Sequence, residues 1–181
     1  MASWARVARR IRVPLGFAFA ALYLWLAHPT IRSLLLGAGL VALGLALRAL
    51  ASGHVQKNEL LTTTGPYAYT RNPLYLGSLI LAVGFAIAAR SLWVGLILVI
   101  LFLAIYLPVI RSEEQYLAQR FPEFADYAAR VPRLLPRIST LSDSSSAFSW
   151  ALYWKHREYN ATLGSLVIMA ALVAKLVGAF R

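Results

Sequence analysis

The 181-residue chain contains no cysteine, which excludes disulfides, thiolate metal sites and a cysteine nucleophile. Charged residues make up only 14% of the chain and acidic residues number only seven, whereas 60% of the residues are hydrophobic. Soluble domains are about half apolar and about a quarter charged. The composition therefore excludes an ordinary soluble globule and a disordered chain, and it predicts an all-α polytopic membrane protein of about five transmembrane helices.

Five apolar segments approach the roughly 20 residues that a helix needs to cross a bilayer. They run from about Val13 to Ala27, Ile31 to Ala51, Pro73 to Ala89, Ser91 to Ile110 and Tyr159 to Phe180. We expect a single membrane domain over residues 1–181, with the first two spans in 1–53. Residues 54–137 then hold a polar loop, a helical hairpin and an amphipathic helix, 138–158 a linker, and 159–181 the last span.

The charges indicate an orientation. With a cytoplasmic N-terminus and five crossings, 14 of the 18 Lys and Arg residues and all seven carboxylates face the cytoplasm. The four basic residues on the other side are Arg32, Arg90, Lys175 and Arg181. The net charge of +11 is thus explained by orientation and by anionic lipid headgroups, and we expect no nucleic-acid partner. Any active site should open to the cytoplasm.

The segment GPYAYTRNPLYLG (residues 65–77) carries the first candidate site. Asn72 followed by Pro73 predicts a helix start, with Asn72 accepting a backbone N–H as N-cap. The helix N-terminus and Arg71 would suit an anion, and Tyr67 and Tyr75 could stack on a ring or face a cation. The alternative is a well-capped membrane helix with interfacial tyrosines.

The second candidate site is the run Arg111-Ser112-Glu113-Glu114, directly after the fourth span. Because the third and fourth spans form a hairpin, this run should lie close to Arg71–Tyr75. A carboxylate there could bind hydroxyls or an ammonium of a polar cofactor. The alternative is a solvated first turn of the following amphipathic helix, where negative charge is favourable.

The remaining polar or glycine-rich features have structural explanations. Gly37, Gly39 and Gly44 lie inside a membrane helix, where close helix packing explains them. Arg48 and Lys175 are expected to extend along the helix toward the headgroups, and Arg48 could also reach a substrate headgroup. Three scattered histidines do not make a metal site, so no metal is expected.

With the block FPEFADYAARVPRLLP (residues 121–136), these motifs resemble the isoprenylcysteine carboxyl methyltransferase family, which is related to the phospholipid N-methyltransferases. The resemblance covers about residues 54–136. It implies an integral membrane enzyme that uses S-adenosylmethionine, with residues 54–137 as the cofactor-binding core. The implied cofactor contacts are Gln56, Glu59, Leu60, Leu61, Thr62, Tyr67, Asn72, Pro73, Tyr75, Glu113 and Glu114. Arg111 resembles the family's arginine on the substrate side. For the reaction itself we expect Arg111 or Arg71 to hold the acceptor's anionic group and Glu114 to accept a proton if the acceptor is an amine.

The motifs indicate the methyl acceptor less directly than they indicate the cofactor. The carboxyl methyltransferases usually have His where this chain has Asn72, and the form Asn-Pro-x-Tyr-x-Gly resembles the phospholipid enzymes. The block at 121–136 resembles the carboxyl methyltransferases. We therefore expect O-methylation of an isoprenylcysteine-like acceptor from the bilayer, with phospholipid N-methylation as the alternative. A sterol-reductase-like enzyme and a non-catalytic membrane scaffold are the alternatives of other classes.

Overall fold

The computed structural model describes residues 18–56, 59–137 and 147–179, and this part of the chain is helical with no strand. The all-α prediction is therefore confirmed. Residues 18–26 form helix α1; the beginning of the predicted first span, residues 13–17, lies outside the described residues. The other helices are α2 (Ile31–Ser52), a 3₁₀ turn (Gly65–Ala68), α3 (Pro73–Ala89), α4 (Leu92–Leu101), α5 (Leu107–Arg120), α6 (Phe124–Arg130), α7 (Trp150–Lys155) and α8 (Tyr159–Leu176).

Three helical stretches in the described part are long and apolar enough to cross a membrane: Ile31–Ser52, Leu92–Arg120 and Tyr159–Leu176. The 17-residue α3 is apolar but shorter. The stretch Leu92–Arg120 joins α4 to α5 through a π-helical turn at Phe102–Tyr106, in which the N–H of Leu107 bonds to the carbonyl of Phe102. The helix that carries the predicted fourth span, Ser91 to Ile110, continues without a break to Arg120.

The expected amphipathic helix after the fourth span is divided. α5 ends before Phe121, whose backbone is extended, and α6 begins at Phe124. Within α6 the Arg130 Nε donates to the Asp126 carbonyl. The break allows α6 to fold back and bury Phe124, Tyr127 and Val131 in one cluster.

Glycines bring the antiparallel helices α2 and α3 into backbone contact. A Cβ added at Gly37 would lie 2.6 Å from the carbonyl oxygen of Gly84, and one at Gly44 would lie 2.8 Å from that of Gly77. Each pair is seven residues from the next along its helix, so the same faces meet twice. Gly39 has open space and takes no part in the contact. The packing role predicted for these glycines is confirmed for Gly37 and Gly44 and is wrong for Gly39.

The last helix, α8, is held at both ends. At its C-terminal end the Lys175 ammonium donates to the carbonyls of Leu24 and Trp25, so it caps α1 within the protein. At its beginning Glu158 pairs with Arg48 of α2. Before it, α7 lies within the stretch that composition assigned to the linker, of which residues 138–146 are outside the described part.

The helix ends define two poles of the bundle. At one pole Ser33 of α2 donates to the carbonyl of Ala88, and the N–H of His28 donates to that of Ala89. The opposite pole holds the C-terminal end of α2, the beginning of α3 and the polar segments that follow α5. The chemically capable side chains gather at this second pole.

Candidate active site

The side chain of Glu114 is the centre of the polar pole. It projects from the third turn of α5 and is only 9% exposed. Asn72 Nδ2 donates to its Oε1 over 3.0 Å, and Arg133 Nε donates to its Oε2 over 2.9 Å. Arg71 Nε lies 3.6 Å from Oε1. The predicted proximity of the two motifs is confirmed, since the hairpin of α3 and α4 brings both to one pole.

Arg133 reaches Glu114 because the segment after α6 lies against residues 67–72. The backbone N–H of Arg71 donates to the carbonyl of Pro132 over 3.0 Å, and the Thr70 hydroxyl donates to the carbonyls of Arg133 and Leu134. Arg133 was absent from the residues predicted for the site. Its only signal was its place in the block at 121–136, and sequence gave no reason to pair it with Glu114.

Asn72 occupies the expected N-cap position of α3, but its side chain has a different role. It makes no capping bond to the first turn. Instead Nδ2 donates to Glu114 and to the carbonyl of Arg133, each over 3.0 Å. The capping prediction for the side chain is wrong, because a buried carboxylate and a carbonyl compete for the amide group. Pro73 begins the helix as predicted and is buried.

A cavity of about 320 Å³ opens beside Glu114. Its lining residues are Arg111, Glu114, Gln115, Ala118 and Arg133. Arg111 is exposed, and no hydrogen bond or ion pair engages its guanidinium within the described residues. Two guanidinium groups beside one carboxylate make this a cavity with excess positive charge, suited to an anionic group. The cavity is broadly open to its surroundings and not an enclosed cleft.

Aromatic rings line the neighbouring part of the hairpin. Tyr75, in the first turn of α3, meets Tyr106 of the π-helical turn edge to face, with ring centroids 5.9 Å apart. Tyr75 also packs against Ile105 and Val109. π-Helical turns inside α-helices are frequent at functional sites, because the extra residue redirects side chains. Here the turn places Tyr106 against the beginning of α3.

Tyr67 is buried, and its backbone carbonyl accepts a hydrogen bond that helps to hold the segments around the site. The Tyr127 hydroxyl donates to the Tyr67 carbonyl over 2.8 Å, which joins α6 to the 3₁₀ turn. Burial raises the pKa of the Tyr127 phenol above its usual value, and the nearby Arg71 guanidinium opposes that rise only in part. Burial also raises the pKa of the Tyr67 phenol. Both phenols are therefore neutral and structural at physiological pH.

The predicted cofactor stretch before the turn makes its contacts with other parts of the chain than Glu114. The Gln56 N–H donates to the Thr62 hydroxyl over 3.2 Å, and Leu60 is 61% exposed. Leu61 packs on the cluster of Phe124, Tyr127 and Val131. Glu59 pairs with Lys155 over 3.5 Å, both side chains being well exposed. No hydrogen bond or ion pair links this stretch to Glu114 within the described part of the chain.

Of the two adjacent carboxylates after the fourth span, only Glu114 is buried, whereas Glu113 is exposed. The structure thus groups Arg71, Asn72 and Glu114, places Arg111 on the adjoining cavity and adds Arg133. Among residues 18–56, 59–137 and 147–179, no group of three or more His, Asp or Glu is arranged to hold a metal ion.

Comparisons with known proteins agree with this helical membrane architecture. The family model described as phospholipid methyltransferase matches residues 12–123. The cobalt-zinc-cadmium resistance protein CzcN of Cupriavidus metallidurans is 42% identical over 91 residues, which are 50% of this chain and 42% of that protein. The nickel-cobalt-cadmium resistance protein NccN of Alcaligenes xylosoxydans xylosoxydans is 41% identical over 91 residues, 50% of this chain and 43% of that protein. The match thus spans under half the length of these relatives, and no solved structure matches the chain.

Proposed function

Because the chain belongs to the phospholipid methyltransferase family of membrane enzymes, we propose that it transfers a methyl group from S-adenosylmethionine to a lipophilic, anionic membrane acceptor. The observation that supports this best is the buried Glu114, held by Asn72 and Arg133 beside a cavity lined by Arg111. A carboxylate, a helix N-terminus and surplus guanidinium groups meet there at one pole of an apolar bundle.

The residues present fit S-adenosylmethionine. Arg71 Nε is buried and has no hydrogen-bond acceptor within the described residues, so it could donate to the cofactor's carboxylate. The first turn of α3 carries no side-chain cap, which leaves its amide groups suited to the same anion. The aromatic pair of Tyr75 and Tyr106 lies beside this helix N-terminus and could contact adenine or a sulfonium. When bound, the cofactor supplies a methyl group activated as a sulfonium.

The state of Glu114 favours a carboxylate acceptor. Both of its oxygens already accept hydrogen bonds, from Asn72 and Arg133, so it is poorly placed to take a proton from an ammonium. A carboxylate nucleophile is ionised at neutral pH and needs no general base. Arg111 and Arg133, which line the cavity, would hold and orient the acceptor's anionic group. We therefore propose O-methylation of an isoprenylcysteine-like acceptor.

Phospholipid N-methylation is the second candidate, supported by the name of the matching family and by the form Asn72-Pro73-x-Tyr75-x-Gly77. In that case the same arginines would hold the lipid phosphate. The exposed Glu113, unlike Glu114, makes no hydrogen bond or ion pair within the described residues and could accept the amine proton. Both candidates use the chain's residues to orient the nucleophile and to exclude water from the reacting groups.

The site is proposed to open to the cytoplasm, and the acceptor is proposed to enter from the bilayer between helices. The excess of basic residues at the polar pole supports this orientation.

The deciding experiment is methyl transfer by purified protein in lipid nanodiscs, with radiolabelled S-adenosylmethionine and either N-acetyl-S-farnesylcysteine or phosphatidylethanolamine as acceptor. We expect base-labile label in the farnesylcysteine product. Base-stable label in lipid would identify the N-methyltransferase instead. Absence of S-adenosylhomocysteine binding in calorimetry by well-folded protein would refute both candidates.

A further inference from the structure

A bidentate ion pair joins Arg48 of α2 to Glu158, the residue directly before α8. Arg48 Nε and Nη2 donate to the Glu158 carboxylate over 2.8–3.1 Å. The two side chains are 21% and 12% exposed, so the pair is largely shielded from water. Buried ion pairs are costly to form, so burial of this pair is by itself no sign that it stabilises the fold.

The third nitrogen of the same guanidinium reaches the beginning of α3. Arg48 Nη1 donates to the Ser78 hydroxyl and, over 3.4 Å, to the carbonyl of Leu74. Leu74 belongs to the first turn of α3. This turn also contains Tyr75, and it begins directly after Asn72. Arg48 is therefore in contact with the turn that carries two residues of the candidate site, although it does not itself contact Glu114.

The segment that supplies Glu158 is docked on the end of α2 by its backbone and by His156. The N–H of Ser149 donates to the carbonyl of Gly53 over 2.9 Å, and His156 Nδ1 lies 3.0 Å from the carbonyl of Ser52. This segment follows the region that matches the family model, which ends at residue 123. Glu158, the partner of Arg48, therefore lies in a part of the chain that the family match does not include.

We propose that Glu158 is a positioning residue of the candidate cofactor site, acting through Arg48 on the first turn of α3. The inference rests on the proposed function. Glu158 engages two of the three guanidinium nitrogens, and this orients Nη1 toward Leu74 and Ser78. Without it the guanidinium has other rotamers available, and the turn bearing Asn72 and Tyr75 loses its fixed position relative to Glu114. Small misplacements of positioning groups cost binding and rate steeply.

The test is calorimetric affinity for S-adenosylhomocysteine in detergent, combined with melting temperature. Glu158→Gln should raise the Kd about tenfold, a typical coupling between sites. In the double variant Arg48→Met with Glu158→Gln no unpaired buried charge is left, so its melting temperature should return toward that of the wild type. Its Kd should remain about tenfold raised. Ser78→Ala removes the main contact of Arg48 Nη1 on α3, leaves its longer contact with the Leu74 carbonyl, and deletes the bond from the Ser78 hydroxyl to that carbonyl; it should raise the Kd with little effect on melting.

Glu123→Gln is the matched control, because it makes the same substitution at an exposed carboxylate and should leave the Kd unchanged. In methyl-transfer assays the variants should raise the KM for cofactor and alter kcat at saturating cofactor by less than about twofold. Wild-type affinity in Glu158→Gln and in Ser78→Ala would overturn this inference and leave the proposed function intact. Should the double variant fail to fold, Ser78→Ala alone decides. Absence of binding by the wild type would overturn the proposed function and this inference with it.

Discussion

A single buried carboxylate, that of Glu114, links three separate parts of the chain by hydrogen bonds and ion pairs. Glu114 belongs to α5, Asn72 and Arg71 precede α3, and Arg133 follows α6, yet their polar atoms all lie within 3.6 Å of its oxygens. Removing the carboxylate leaves its donors without their acceptor, which costs more than the hydrogen bonds themselves. At the scale of residues, Glu114 is thus the group on which the geometry of the site depends.

Glu114→Gln should weaken S-adenosylhomocysteine binding at least about tenfold, a loss of about 1.4 kcal/mol or more. The amide retains the shape but turns an NH₂ group toward Asn72 or Arg133, which are themselves donors. Titration calorimetry in detergent measures the change. The exposed Glu123→Gln is the control, and its affinity should stay within about threefold of the wild type. Equal losses in both variants would contradict the special role of Glu114.

Tyr127→Phe tests the contact between α6 and the 3₁₀ turn. It removes the bond from the Tyr127 hydroxyl to the Tyr67 carbonyl, and we expect a loss of about 1–3 kcal/mol from the free energy of unfolding. Reversible denaturation in detergent micelles, followed by circular dichroism, measures it. The variant Tyr116→Phe serves as control, because the Tyr116 side chain is 48% exposed and its hydroxyl makes no bond within the described residues.

The buried phenols also predict a pH dependence of stability. Because burial raises the pKa of Tyr127 in the folded state, the unfolded chain loses this proton first, above about pH 10. The unfolded state then binds fewer protons than the folded state, so the free energy of unfolding falls as pH rises beyond that value. Melting temperatures at pH 8 and pH 11 should show a smaller fall in Tyr127→Phe than in the wild type. An identical fall would contradict the raised pKa.

At the scale of elements, the position of the site depends on how closely α2 and α3 approach. Gly44→Ala would place a Cβ 2.8 Å from the Gly77 carbonyl oxygen, and the helices would have to separate. We expect a destabilisation of about 1–3 kcal/mol, which is usual for overpacking. Gly39→Ala is the matched control, since nothing lies within 4 Å of its added Cβ. It should be neutral or stabilise the helix by up to about 1 kcal/mol. Thermal melting in detergent compares the two.

Contacts within one hairpin could be predicted from the sequence, whereas contacts between distant elements could not. Apolar length predicts the helices, and the short Arg90 connection predicts a hairpin, which suffices to bring Asn72 near Glu114. The partner Arg133 could not be predicted, because it reaches Glu114 only after the chain breaks at Phe121 and folds back. Likewise Arg48 and Glu158 are 110 residues apart, and nothing in periodicity or spacing indicates that they meet.

At the scale of the whole molecule, the charged side chains of the candidate site all lie at one pole of the bundle. The opposite pole is closed by the contacts of Ser33 with Ala88 and of Lys175 with α1. Arg32 and Arg90 lie at that closed pole, whereas the carboxylates at the site and the arginines around them lie at the other. By the positive-inside rule this distribution supports the proposal that the site faces the cytoplasm, where a soluble cofactor would be available.

This orientation can be tested with unusual clarity, because the chain has no cysteine of its own. Arg32→Cys and Glu123→Cys each introduce one thiol at an exposed position, one at either pole. A membrane-impermeant maleimide should label Arg32→Cys in intact spheroplasts and Glu123→Cys only in inverted vesicles. The reverse pattern would place the site on the outer face, away from cytoplasmic cofactor, and would contradict the proposed entry route. Labelling of both thiols from the same side would contradict the two-pole arrangement itself, since α2 runs from one pole to the other.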